Sequence, residues 1–430
     1  MLVDAMSSDS ESTIPVQQLQ QGWHIMSATF GVVHGVAVML LAYSTSVLDG
    51  NTGYYGNASL YGWWIFSSLF IGAPFTYKFG SKQSLVAASC LYCVFYVSFA
   101  LCSCIQGASS AQMILALFGY SCGGIASGIL WTAQGAYYAR TTDLVAEGSG
   151  EYAEDCASSF ASVFAAWNLF IEVGIKLLVC GLQRWEVAIW IPFALACGLA
   201  LAACLGMHVF VTRLPMSQAE RPRKRDTLLS VVSLWQDPKI WLLSFTNLTF
   251  GVSGAFLNGT INAEYTAKQL GVHRVGLLMA LMSCVAALLQ KVLSYVAISS
   301  GKGFTIGAGA VSFMSIPILV VLLPVDELGW GLIIFYLLQG VGRGVFESTN
   351  KAVFLDMFPT PLATGAFANV AMQQAVSFMV TFLVSPVITT HVLMTVQVIL
   401  ALHIIPDYVV ARKVKRLEEA ADWCSEDATL

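Results

Sequence analysis

The chain has 430 residues, of which 57% are hydrophobic and only 11% are charged, and its mean hydropathy is +0.71. Soluble domains carry about 25% charged residues, so this composition excludes a soluble globular protein and indicates an integral membrane protein. The formal net charge is −4, and no nucleic-acid partner is expected.

The first twenty-one residues form a polar segment that contains acidic residues but neither Lys nor Arg. A secretory signal peptide begins with positive charge, and an organellar transit peptide is rich in Arg and poor in acidic residues. Neither pattern is present. We therefore expect an N-terminal tail over residues 1–21, followed by an apolar helix that acts as an uncleaved anchor.

Twelve apolar windows follow this tail, each close to the roughly 20 residues that a spanning helix needs. They are Trp23–Leu48, Leu60–Tyr77, Leu85–Ile105, Ala111–Ala139, Ala157–Leu182, Trp185–Val211, Ile240–Ile261, Val275–Ser299, Phe304–Pro324, Gly329–Asn350, Thr364–Ile388 and Val392–Val410. They predict an all-α membrane protein with a six-helix bundle over residues 22–211, a second over 240–410, a basic linker over 212–239 and a tail over 411–430.

The distribution of Lys and Arg sets the expected orientation. Most of the 21 basic residues fall in the termini and in alternate loops, including the run Arg221–Arg225 in the linker. Positive charge is retained in the cytoplasm, so both termini are expected to be cytoplasmic, in the plasma membrane or an endomembrane. On this topology Asn57 lies in an outside loop, where Asn-Ala-Ser is a candidate glycosylation site.

The sequence gives no sign of catalytic or metal chemistry. Cys90 and Cys93 form a CxxC pair, but no second pair or His cluster would complete a metal site. The other membrane cysteines serve as small hydrophobic residues. Because no nucleotide-binding loop, catalytic triad or zinc-protease motif is present, we expect neither a cofactor nor an enzymatic activity.

The two halves of the chain repeat each other. The segment Gly123–Ala136 of the fourth window aligns without gaps with Gln339–Ala352 of the tenth. In this alignment Gly124 pairs with Gly340 and Gly128 with Gly344, which predicts that the same small-residue face packs against a neighbouring helix in each half. Two parallel six-helix repeats joined by a long linker describe the major facilitator architecture, whose cavity lies between the bundles.

The tenth window also carries charge at membrane depth, which is costly and raises a functional question. Gln339, Arg343, Glu347 and Asn350 are spaced four, four and three residues apart, so an α-helix places them on one face. Arg343 and Glu347 can pair over one turn. Two interpretations follow: a structural clamp, or a switch in which Glu347 changes protonation or partner.

A second polar stripe lies in the fifth window, at Asn168, Glu172 and Lys176. The two charged residues can pair with each other, or Lys176 can extend toward the membrane surface and leave Glu172 facing a cavity. His34 is a candidate titrating group or a hydrogen-bonded core residue. The amides Gln134 and Gln373 would line a cavity or join helices.

The segments Gly342–Phe354 (GRGVFESTNKAVF) and Ile129–Ala139 (ILWTAQGAYYA) resemble the Unc-93-like family of the major facilitator superfamily. Characterised relatives of that family include a regulatory subunit of a potassium channel and a trafficking chaperone for immune receptors. The resemblance therefore implies a protein that regulates or chaperones another membrane protein.

The alternative is a secondary transporter of a small solute, proton-coupled through intramembrane carboxylates. Polar or small-residue stripes facing lipid would favour a regulator. Convergence of the charges of the fifth and tenth windows on one water-filled cavity would favour a transporter.

Overall fold

The computed structural model describes residues 14–105, 107, 109–185, 187–215, 231–358 and 362–427. Most of the polar N-terminal tail and the basic run Arg221–Arg225 lie outside the described residues. The main helices are α1 (Val16–Val47), α2 (Thr52–Phe70), α3 (Gly72–Phe79), α4 (Ser81–Cys102), α5 (Ser110–Ser149), α6 (Ala153–Arg184), α7 (Trp190–Phe210), α8 (Pro238–Leu270), α9 (Val272–Ser299), α10 (Lys302–Leu322), α11 (Gly329–Met357), α12 (Ala363–Val384) and α13 (Thr390–Asp427).

Each of the twelve predicted windows falls on helical structure. Within the described residues, 11 helices are long and apolar enough to cross a membrane. The second window is the exception, because it is divided between α2 and α3 at Ile71 and α2 carries several hydroxyl and amide side chains. The multi-pass helical membrane fold is confirmed, while the count of twelve spanning helices stays a prediction.

Local sequence explains where several helices begin and end. Ser109 caps α5, since its Oγ accepts a hydrogen bond of 3.1 Å from the backbone N–H of Gln112. Asp237 caps α8 in the same way, with Pro238 at the first helical position, where proline is favoured. The 40-residue helix α5 ends at Gly150, whose φ of 74° is the left-handed conformation that glycine adopts without strain.

Two spanning helices contain π-helical segments, at Leu257–Thr266 in α8 and at Phe346–Asn350 in α11. A π-helical turn holds more residues than an α-helical turn, so it rotates the side chains that follow it relative to those that precede it. Such segments are rare and are frequent at functional sites.

The repeated glycines pack in equivalent places in the two halves. A Cβ at Gly128 would lie 2.6 Å from Ser67 Oγ of α2, and Gly124 lies against α2 as well. A Cβ at Gly340 would lie 2.8 Å from Val285 Cβ of α9, and Gly344 faces the same helix. Since α2 and α9 are each the second helix of their half, the repeat in the sequence corresponds to a repeat in the packing.

We call the side on which α1 begins the terminal side, and the side on which it ends the far side. On the far side the two bundles are joined by Thr45 Oγ1, which donates 2.5 Å to the carbonyl of Asn258, and by Asn262 Nδ2, which donates 3.1 Å to Ala42. Elsewhere α2 meets α12 through the stacked rings of Tyr61 and Phe378, whose centroids are 4.6 Å apart.

Candidate functional site

The bundle interface contains a cluster of four charged side chains and one serine. Glu172 and Lys176 come from α6 of the first bundle, and Ser283, Arg343 and Glu347 come from α9 and α11 of the second. The two carboxylates balance the ammonium and the guanidinium, so the cluster has no net formal charge. Charged groups at membrane depth are tolerated when they are paired in this way.

Glu172 is the central acceptor of this cluster. Its Oε1 accepts hydrogen bonds from Lys176 Nζ at 2.6 Å, Ser283 Oγ at 2.7 Å and Arg343 Nη1 at 2.8 Å. Its Oε2 accepts a bond of 3.0 Å from Arg343 Nη2. The two bonds from Arg343 form the parallel, two-pronged arrangement that is the strongest arginine–carboxylate geometry. Glu172 therefore links the two bundles and has its acceptor positions filled.

Ser283 connects the two cations. Its Oγ accepts hydrogen bonds from Lys176 Nζ at 2.9 Å and from Arg343 Nη1 at 3.1 Å, while its own hydroxyl faces Glu172. This serine was not predicted from the sequence, because a single serine in an apolar helix carries no signal of its tertiary partners.

Glu347 occupies the edge of the cluster. Its Oε1 accepts 2.7 Å from Arg343 Nε, and its side chain is 25% exposed, compared with 12% for Arg343 and 0% for Glu172 and Lys176. Of the two carboxylates, Glu347 is therefore the more exposed. Lys176 does not extend to the membrane surface, because its ammonium is held inside by Glu172 and Ser283.

His34 lies on α1 next to Gly35, where this helix packs against Glu172 of the cluster. Its ring meets Trp131 edge-on at 5.1 Å, and its Nδ1 has no hydrogen-bond partner. The position follows from close packing of α1 on α6, because a Cβ at Gly35 would lie 3.3 Å from the Cα of Glu172. His34 therefore lies next to the cluster, and its Nδ1 makes no hydrogen bond to any member of the cluster.

The predicted polar stripe of α11 does not face one partner. Arg343 binds Glu172 of α6 and Glu347 binds Arg343, but Gln339 accepts 2.5 Å from Ser253 of α8, and Asn350 donates 2.8 Å to Asn247 of α8. The π-helical segment at Phe346–Asn350 lies within this stretch, so the spacing of an ideal α-helix does not hold there.

The remaining predicted residues lie outside the cluster. Gln373 is buried and accepts 2.7 Å from Asn247 Nδ2, which joins it to the amide network around Asn350. Asn168 is half-buried one turn before Glu172, with its Oδ1 unpaired, and Gln134 is half-buried on α5. Gln373 thus joins helices, while the roles of Asn168 and Gln134 stay predictions.

The candidate glycosylation site requires a correction. Asn57 lies within α2, is completely buried, and donates a hydrogen bond of 3.4 Å to the carbonyl of Leu41. Glycan attachment requires an exposed side chain in a loop. The folded chain therefore offers no accessible acceptor at Asn57.

A polar cavity of about 320 Å³ opens on the far side of the structure. It is lined by Tyr54, Thr260, Glu264, Tyr265, Lys268, Asp326, Ser385, Thr390 and Leu393. None of these residues belongs to the charge cluster, so the buried cluster and this cavity are separate features. Among the described residues no group of three His, Cys, Asp or Glu side chains is arranged to hold a metal ion.

Sequence comparison finds relatives over most of the chain, although no family model matches it. Protein unc-93 homolog A of Bos taurus is 24% identical over 372 residues, which cover 76% of this chain and 78% of that protein. The Homo sapiens protein of the same name is 23% identical over 377 residues, covering 78% of this chain and 80% of its own length. The resemblance noted in the sequence is confirmed.

Several solved membrane transporters have similar folds. A mutant form of the nucleoside transporter NupG superimposes with a TM-score of 0.69 and 11% identity, covering 92% of this chain and 99% of that one. The D-xylose-proton symporter gives a TM-score of 0.59 and 13% identity, covering 92% of this chain and 96% of that one. The chain is therefore a multi-pass membrane protein with the major facilitator fold, similar in sequence to unc-93 homolog A.

Proposed function

We propose that this protein is a secondary transporter of a small solute, in which the charge cluster couples movement of the two bundles. The observation that carries the proposal is the pair of hydrogen bonds from Arg343 of α11 to Glu172 of α6. Transport by this fold requires the bundles to rock against each other around a site near the midplane. The Glu172–Arg343 pair spans the boundary across which that motion occurs.

The arrangement of the other interface contacts supports the same proposal. Thr45 and Asn262 tie the bundles together on the far side, where α1 and α8 end. With both termini in the cytoplasm, as the distribution of basic residues predicts, these bonds join the bundles in the outer half of the membrane. A second arrangement, closed on the terminal side, would complete an alternating cycle.

The regulatory role suggested by the family resemblance stays a prediction. For a regulator, we expected a stripe of small or polar residues to face lipid. The repeated glycines do not form such a stripe, because all four pack against helices of their own bundle, namely Gly124, Gly128, Gly340 and Gly344. For a transporter the expected sign was convergence of the charges of α6 and α11. These charges do converge, although in a buried cluster rather than a water-filled cavity.

Distance measurements between spin labels would test the proposal without knowledge of the solute. Labelled unnatural amino acids avoid interference from the eleven native cysteines. One pair, Glu147 with Leu355, reports the terminal side, and a second, Asn51 with Glu327, reports the far side. We expect two distance populations for each pair. In each arrangement of the bundles, the label-to-label distance should be short on one side of the membrane and long on the other. A pair within the first bundle, Asn51 with Arg184, is the matched control and should give one distance.

Uptake into liposomes would complete the test. The probes are radiolabelled uridine, D-xylose and alanyl-alanine, since the similar folds belong to a nucleoside transporter, a D-xylose-proton symporter and a homologue of peptide transporters. Uptake of one probe above that of empty liposomes would support transport. A single distance for both cross-bundle pairs, together with no uptake, would refute the proposal and favour the regulatory alternative.

A further inference from the structure

The last helix continues well beyond the membrane. At 38 residues, α13 is about 57 Å long, whereas the hydrocarbon core of a bilayer is about 30 Å thick. The segment from Ala411 onward therefore leaves the membrane on the terminal side. It stays helical and continuous with the spanning part, so the part of the predicted tail that the structure describes is an extension of α13 as far as Asp427.

One face of this extension is docked on the second bundle. Lys415 Nζ donates a hydrogen bond of 2.7 Å to the carbonyl of Asp356 at the end of α11. Glu418 forms an ion pair with Lys239, a residue that is only 6% exposed at the start of α8. These contacts hold the extension in one rotational position against the ends of two other helices.

A second face of the extension is basic and exposed. Successive residues of an α-helix are about 100° apart, so Arg412, Lys413 and Arg416 lie within about 100° of one another. The centre of this face is about 140° from the centre of the docked residues Lys415 and Glu418, although Lys415 itself is only about 60° from Arg412. All three are exposed, as is the neighbouring Leu417, which is 63% exposed. The next two acidic residues in the chain are already paired, because Glu418 binds Lys239 and Glu419 binds Lys415 at 3.3 Å.

Two tryptophans give the depth of this face relative to the membrane. Trp235 and Trp241 flank Lys239 in the chain, and their side chains are 41% and 48% exposed. Tryptophan at the ends of spanning helices lies at the level of the lipid headgroups. Because Lys239 binds Glu418, the basic face of α13 lies at the same level as these two tryptophans.

We propose that Arg412, Lys413 and Arg416 form a binding site for the headgroups of anionic lipids on the terminal side of the second bundle. Basic residues next to a spanning helix bind anionic headgroups electrostatically, and arginine binds phosphate with two parallel hydrogen bonds. The docked face holds the helix that carries the three residues in one position, so no backbone conformational entropy is lost when lipid binds. This site is independent of transport, and it would serve a transporter or a regulator equally.

Lipid titration of the full-length protein in detergent tests the site. The probes are dioctanoyl phosphatidylserine, dioctanoyl phosphatidylcholine and inorganic phosphate, with binding followed by native mass spectrometry. We expect the protein to prefer phosphatidylserine over phosphatidylcholine, and the variant Arg412→Gln/Lys413→Gln/Arg416→Gln to lose about a hundredfold of that preference. Thermal melting of the variant should stay close to that of the wild type, since all three side chains are exposed and the contact of Arg412 with the ring of Tyr408, at 6.0 Å, is a weak surface cation–π interaction.

The matched control removes three charges from the far side, in Arg184→Gln/Lys268→Gln/Arg274→Gln. It changes the net charge equally and should keep the lipid preference. Equal loss of preference in both variants would show a response to net charge and overturn the proposal. Absence of any preference in the wild type, or displacement of phosphatidylserine by inorganic phosphate at equal concentration, would also overturn it.

Discussion

Arg343 donates two parallel hydrogen bonds to Glu172, of 2.8 Å and 3.0 Å, although the residues lie 171 positions apart in the chain. The bonds join a helix of the first bundle to a helix of the second at a depth where the carboxylate is fully buried. In such surroundings a charge that loses its partner is costly, while a complete pair contributes little net stability. The pair therefore acts mainly to restrict which arrangements of the bundles are stable.

The first prediction concerns the energetic coupling of this pair. Glu172→Gln would leave Lys176 without a carboxylate, and Arg343→Gln would leave Glu172 with one cation, so each is expected to destabilise the protein by about 3–5 kcal/mol. The double variant should cost less than the sum of the two, by about 2 kcal/mol, because it removes both members of the pair. Unfolding in detergent measures the stability of the wild type, the two single variants and the double variant.

Additive effects in this cycle would show that the two residues do not interact in the folded protein. The control cycle combines Glu172→Gln with Lys268→Gln, because Lys268 pairs with Glu264 at the exposed end of α8 and not with the cluster. This control should be additive, since well-separated sites contribute independently.

The second prediction separates the two carboxylates. Glu347 accepts one hydrogen bond from Arg343 and is partly exposed, so Glu347→Gln keeps the Glu172–Arg343 pair. We expect its melting temperature to fall much less than that of Glu172→Gln, while the exchange between the two bundle arrangements is lost. Spin-label distances across the bundles measure the exchange, and a melting curve measures the fold.

This comparison decides between a clamp and a switch at Glu347. A variant that unfolds as readily as Glu172→Gln would indicate a structural clamp. A variant that is stable and still exchanges between both arrangements would show that Glu347 has neither role. Glu347→Asp is the control, because it keeps the charge and shortens the reach to Arg343 by one methylene.

The third prediction is that Asn57 carries no glycan. Its side chain is buried inside α2 and bound to the carbonyl of Leu41, so the glycosylating enzyme has no access to it in the folded protein. Treatment with a glycosidase should leave the electrophoretic mobility unchanged, and Asn57→Gln should have the mobility of the wild type. A shift in either experiment would mean that the start of α2 is modified before it folds.

The sequence predicted the overall fold because the signals for it are local or repeated. Long apolar windows identify spanning helices, and the matched glycines Gly128 and Gly344 reveal the parallel repeat. Pairs one turn apart, such as Arg343 with Glu347 and Glu172 with Lys176, also follow from helical spacing, and the structure places both pairs in contact.

The arrangement of the cluster was not predictable in the same way. Which residue of α6 meets which residue of α11 depends on the rotation and tilt of packed helices, and local spacing does not specify these. The bond between Asn350 and α8 was missed because a π-helical segment interrupts the regular spacing before Asn350. The bond between Gln339 and α8 was missed because helical spacing does not specify which neighbouring helix a side chain meets. The serine of the cluster gave no signal, since its chemistry depends on partners from other parts of the chain.

The last prediction concerns the packing that brings α1 against the cluster. A Cβ at Gly35 would lie 2.9 Å from Ile175 Cδ1 and 3.3 Å from the Cα of Glu172, so any side chain there must displace α6. Gly35→Val is expected to destabilise the protein by about 1–3 kcal/mol, the usual cost of overpacking. It should also weaken the coupling between Glu172 and Arg343, because it moves the helix that carries the carboxylate.

Gly174→Val on α6 is the matched control. A Cβ at Gly174 has no atom within 4 Å, so the same substitution on a neighbouring helix meets open space. The double-variant cycle of Glu172 and Arg343, repeated in each background, measures the coupling. A coupling energy that is reduced in the Gly35→Val background and preserved in the control would show that α1 positions Glu172. Equal coupling in both backgrounds would show that the cluster forms independently of how closely α1 packs.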